Sequence, residues 1–156
     1  MNLTITATQI ELLLKETLFG LCVLAVIAIY NVYSFLWVAL AYRQVLSKAP
    51  VHGKQFEILR LVGFIMLLVL CILLSLLIWV FALTYFNFVS RWTDALLFST
   101  SFFTTVGNFS VDLPVGWRLI PSMIAFSGLF SFAWATACSM GMGNHLIKHL
   151  EKNNQI

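Results

Sequence analysis

The chain alternates long apolar runs with short polar breaks, and the lengths of the runs carry most of the information. Three runs, over residues 18–42, 61–88 and 119–142, each exceed the roughly 20 residues that a helix needs to cross a bilayer. The second, at 28 residues, would reach about 42 Å as a helix, which predicts a tilted or projecting span. A fourth apolar stretch is different in kind. Residues 93–103 make a helix of only about 16 Å, roughly half the hydrocarbon thickness. It ends in Thr104, Thr105, Val106 and Gly107, between the second and third long runs. A helix too short to cross must dip into the bilayer and return. Irregular backbone at that depth is tolerated only inside protein or beside water. The pattern predicts an all-α integral membrane protein, with three transmembrane helices plus a re-entrant pore helix and filter loop.

The polar breaks set the ends of these elements. Residues 44–57 form a short linker turned by Pro50 and Gly53. Upstream, Thr8 and Glu11 have capping-box spacing, which predicts a helix start near Gln9. The first run does not read as a cleaved leader: no basic segment precedes it, Glu11 and Glu16 do, and it is too long.

Composition agrees with a membrane protein. With 61% hydrophobic and 10% charged residues, the chain has too little charge to coat a soluble domain of 156 residues. A net charge of +3 gives no argument for nucleic acid as a partner; its distribution says more. Arg43, Lys48, Lys54 and Arg60 surround the linker, and Lys148 and Lys152 lie near the C-terminus, against Lys15, Arg91 and Arg118 elsewhere. The positive-inside rule then puts linker and C-terminus in the cytoplasm and the N-terminus outside. Trp92 and Trp117 bracket the re-entrant segment where an outer aromatic belt would lie. Cys22, Cys71 and Cys138 all fall in apolar runs and read as packing residues, not as disulfides or a metal site.

The candidate chemistry is that of a pore. To conduct, a protein must replace a cation's hydration shell with oxygens at little net cost, and rings of backbone carbonyls do this. Consecutive carbonyls aim at one axis only where the backbone takes conformations that most side chains resist, and Gly107 permits them. Thr105 adds a hydroxyl, and the short helix points its partially negative C-terminus at the same place. One loop cannot encircle an ion, so the reading requires a homo-oligomer with rotational symmetry. The sequence contains no Ser/His/Asp set, glycine-rich phosphate loop or embedded carboxylate pair, so no enzyme and no cofactor are expected. His145 and His149 have metal-compatible i, i+4 spacing, but without an acid or cysteine nearby they read as a solvated face.

Thr104, Thr105, Val106 and Gly107 after a short helix, followed by Leu113, Pro114, Val115, Gly116, Trp117, Arg118 and Leu119, resemble the pore module of the potassium channel superfamily. Gly128 lies ten residues after Arg118, and Phe132 four further on. This is similar to the hinge glycine and cavity-lining phenylalanine of that superfamily's inner helices. The tract over 128–136 also resembles small bacterial three-span ion-channel proteins. The resemblance covers about residues 61–145 and implies a homotetramer. It divides the chain into residues 1–60 (N-terminal segment, first span and linker), a pore module over 61–147 and a tail over 148–156. It implies an ion filter of Thr104, Thr105, Val106, Gly107, Asn108 and Phe109, with the permeant monovalent cation, K+ and/or Na+, held at Thr105, Val106 and Gly107. Gly128, Phe132, Thr136 and Met140 would line the pore, and Ser110 and Asp112 the outer vestibule. For Gly128 the other reading is a close helix–helix contact; for Asp112 it is pairing with Arg118 or with lipid headgroups.

The filter departs from the family pattern. Where the family reads Thr-Val-Gly-Tyr-Gly-Asp, this chain reads Thr105, Val106, Gly107, Asn108, Phe109, Ser110. A bulky Phe109 resists the positive φ that the second glycine adopts, and Asn108 replaces the bracing tyrosine. The expected function is a tetrameric cation channel with altered, relaxed selectivity, whose partners are its own copies, membrane lipids and monovalent cations. The alternative is a poorly conducting channel relative serving as a scaffold or regulatory membrane subunit.

Overall fold

The computed structural model describes residues 7–48, 54–108, 113 and 117–152. These form four helices, α1 (Ala7–Lys48), α2 (Lys54–Tyr85), α3 (Trp92–Phe103) and α4 (Ile120–Lys152), with no strand among the described residues. Three of the four, over Ile10–Ser47, Gln55–Tyr85 and Ile120–Glu151, are long and apolar enough to cross a membrane. The protein is an all-helical membrane protein.

The helix ends differ from the sequence expectation for local reasons. α1 starts at Ala7, ahead of Gln9, and Glu11 pairs with Lys15 at 2.7 Å. The side chain of Thr8 lies outside the described ones. α2 stops at Tyr85, short of residue 88, because Asn87 takes a left-handed conformation at φ 57°. The Asn87 amide donates to the Thr84 carbonyl at 3.1 Å and the Phe88 amide to the Leu83 carbonyl at 2.9 Å. These two bonds satisfy carbonyls that the helix end would otherwise orphan. α4 runs past 142 to Lys152. Met142, Leu146 and Leu150 recur every fourth residue and are all buried, so one face keeps packing after the mean hydropathy has fallen.

The chain forms two compact units. Met1–Ile29 and Ser75–Phe130 make the first, Tyr30–Leu74 and Ser131–Ile156 the second. In the first, Trp79 is fully buried; its Nε1–H donates to the Ser127 hydroxyl at 2.8 Å, which donates to the Ile124 carbonyl at 2.7 Å. Phe19, Phe86, Phe88 and Trp117 cluster there, with ring centroids 4.3–6.1 Å apart. In the second, the buried Asn31 amide donates to the Ser131 hydroxyl at 2.7 Å, and the Tyr42 ring meets Phe64 edge-on. Where neither lipid nor core offers alternative partners, such bonds are worth about 1 kcal/mol each. Large apolar side chains such as Leu18, Trp37, Met66 and Phe126 stay exposed, as they must where lipid or another membrane protein covers the surface. All three cysteines are free thiols.

Candidate pore loop

α3 is the short helix of the sequence analysis, beginning one residue earlier, at Trp92. Its 12 residues extend roughly 18 Å. Asp94 in its first turn puts a carboxylate at the positive end of the helix dipole. Ala95, Phe98, Ser99 and Phe103 recur at i, i+3, i+4 and i+8 and form its buried face.

The loop starts from hydrogen bonds at the α3 C-terminus. The Thr104 amide and hydroxyl both donate to the Thr100 carbonyl, at 3.0 and 2.8 Å. The Thr105 amide donates to the Phe102 carbonyl at 2.9 Å, and the Gly107 amide to the Ser101 carbonyl at 3.0 Å. These bonds hold an unusual backbone: φ is +61° at Thr105 and +66° at Gly107, while Val106 between them is not positive. For a β-branched residue such as Thr105, the left-handed region costs roughly 1–2 kcal/mol. The Thr105 and Gly107 bonds return about 0.5–1.5 kcal/mol each, so the turn is held near balance. Residues 104–108 are all exposed, and the Val106 side chain is 70% exposed. No described residue of the chain covers this loop.

Gly128 of α4 meets the foot of the loop. A Cβ built at Gly128 would overlap the Phe103 carbonyl, one residue before Thr104. Glycine is needed here for close approach between α4 and the end of α3, which is the packing alternative of the sequence reading. The N-terminus of α4 is held by a residue the sequence reading assigned no part in the site. Glu16 of α1 is 2% exposed, and its Oε1 accepts from the Leu119 and Ile120 amides. These are amides with no partner inside a helix, and Pro121, next in line, has no amide to satisfy. A carboxylate at a helix N-terminus also meets the positive dipole end. The available signal was an acid two residues ahead of the first apolar run, whose partner lies 103 residues away in sequence.

The hydroxyls of Ser99 and Ser101 are buried without a hydrogen-bond partner. Phe132, Thr136 and Met140 lie further along α4, in the second unit; all three are exposed, and the Thr136 hydroxyl donates back to the Phe132 carbonyl at 2.8 Å. Phe109, Ser110 and Asp112 lie outside the described residues. The structure thus seats Gly128 against Phe103, directly before the loop of Thr104, Thr105, Val106, Gly107 and Asn108. No family model, curated protein or solved structure matches the chain.

Proposed function

We propose that the chain is the subunit of a homotetrameric monovalent cation channel, with α3 as its re-entrant pore helix and residues 104–109 as its filter. The observation that carries this reading is the backbone at Thr105, Val106 and Gly107. Positive φ at alternate positions, directly after the C-terminus of a 12-residue helix, is the conformation that successive carbonyls need to address one axis. The negative end of the α3 dipole favours a cation there. Exposure of residues 104–108 in one chain fits a site that further copies complete. Conduction is passive, of K+ and Na+, with selectivity relaxed by Asn108, Phe109 and Ser110 in place of a second carbonyl-presenting turn. The N-terminus and loop face outward, the 43–60 linker and C-terminus inward.

A bulky Phe109 at the outer end of the filter favours a second reading, a non-conducting subunit with a scaffolding or regulatory role. Cysteine labelling tests the topology shared by both. Ser110→Cys and Asp112→Cys should react with an impermeant reagent from outside, and Lys54→Cys only from inside. Reaction of 110 and 112 from the inside would mean that α3 is part of a full crossing, and the pore-loop reading would fall. Native mass of the purified protein should show four subunits. Potassium and sodium flux through the protein in liposomes separates the channel from the scaffold.

A further inference from the structure

We infer that the second unit carries a binding site for the headgroup of an anionic phospholipid, formed by α1 and α4 near their C-terminal ends. A cavity of about 320 Å³ is lined there by Arg43, Leu46 and Ser47 from α1, and by His145, Lys148 and His149 from α4. Each helix contributes positions i, i+3 and i+4, which is one face of each. The lining supplies a guanidinium, an ammonium, a hydroxyl and two imidazoles, and no acid among the described residues. Arg43 and Lys148 take part in neither Lys15–Glu11 nor Arg60–Glu57, the ion pairs found among the described residues. Two full positive charges therefore face one cavity.

The ordinary reading of such residues is that they neutralise helix C-termini and flank a span. The charge balance argues for more. No acid in the cavity lining offsets Arg43 and Lys148, and Glu151 in the last turn of α4 is not one of its residues, so beyond the partial negative charge of the helix ends the lining keeps a surplus of positive charge. A phosphodiester would neutralise that surplus and could accept from the planar guanidinium in bidentate fashion. The floor, Leu46, is buried, and exposed apolar residues precede Arg43 on α1, Leu40 and Trp37. Acyl chains could follow these side chains while the phosphate occupies the cavity, which selects a lipid headgroup over a free phosphate. The site lies at the ends of spanning helices, where basic cavities recognise lipid headgroups. This inference does not depend on ion conduction.

The test uses the full-length chain in zwitterionic detergent, titrated separately with short-chain phosphatidylglycerol, short-chain phosphatidylcholine and inorganic phosphate, with bound molecules counted by native mass spectrometry. Phosphatidylglycerol should bind with saturation and the other two at least tenfold more weakly. Arg43→Gln with Lys148→Gln should weaken phosphatidylglycerol binding at least tenfold, as expected for two basic contacts at a membrane surface. The charge-preserving pair Arg43→Lys with Lys148→Arg should keep it within a few-fold. Ser47→Phe leaves every charge in place but fills the cavity, and should also abolish saturable binding. If Ser47→Phe binds like wild type, attraction is diffuse and there is no site. Equal binding of phosphatidylcholine, or of inorganic phosphate, would overturn the assignment to an anionic lipid.

Discussion

The loop at Gly107 and the helix wall at Gly128 both require glycine, for opposite reasons. At Gly107 the constraint is conformational: φ is +66°, and the nearest atom to a built Cβ is an aromatic carbon of Phe102 at 3.8 Å, an ordinary contact. Space is available; the backbone is what other residues resist. At Gly128 the backbone is ordinary helix and space is missing, because the Phe103 carbonyl occupies the position of a side chain. One glycine shapes a loop and the other seats the helix that carries it. The two positions should therefore fail differently when substituted.

The largest effect is expected at Gly107→Ala. In reconstituted liposomes cation flux should fall to that of protein-free vesicles, while thermal stability in detergent changes by no more than about 1–2 kcal/mol, the left-handed penalty of a non-glycine residue. Gly128→Ala should lower stability by about 1–3 kcal/mol, the usual cost of forcing a methyl into a packed contact, and reduce flux through displacement of Phe103. If Gly107→Ala unfolds the protein and Gly128→Ala leaves stability untouched, the assignment of the two roles is reversed.

Glu16 extends the comparison to the N-terminus of α4. Glu16→Ala strands the Leu119 and Ile120 amides and should cost about 2 kcal/mol, against under about 1 kcal/mol for Glu16→Gln, which keeps an acceptor. Equal, negligible losses in thermal unfolding would show that the carboxylate holds nothing. The smallest effect is expected at Thr105→Ala: the positive φ persists, but one ring of hydroxyl oxygens is lost, so barium block should weaken by a few-fold, on the order of 1 kcal/mol. Unchanged block would place the ion away from Thr105.

Much of the fold was legible because it rests on run length. Spans at 18–42, 61–88 and 119–142 could be placed from hydropathy alone, and α3 from its shortness. Their ends were less legible. Nothing in an apolar pattern announces that Asn87 will turn left-handed, or that Leu146 and Leu150 extend α4 beneath a polar surface. Of the site, Gly107 could be read from its motif because a conformational demand is local to the residue. Glu16 could not, and for Gly128 a close contact stood as one of two readings without its partner, because each depends on residues distant in the chain: Leu119 and Ile120 for one, Phe103 for the other. Ser99 and Ser101 looked like ordinary helix residues until their burial was known.

The central claim, that cations pass along Thr105, Val106 and Gly107, is tested most directly by flux through matched liposomes holding equal amounts of wild type and Gly107→Ala, each first shown to be folded and tetrameric by native mass. Wild type should pass potassium and sodium, with permeabilities within about tenfold of each other, roughly 1.4 kcal/mol of discrimination, and the variant neither. A wild type that passes no cation, or a variant that passes them as wild type does, would contradict it.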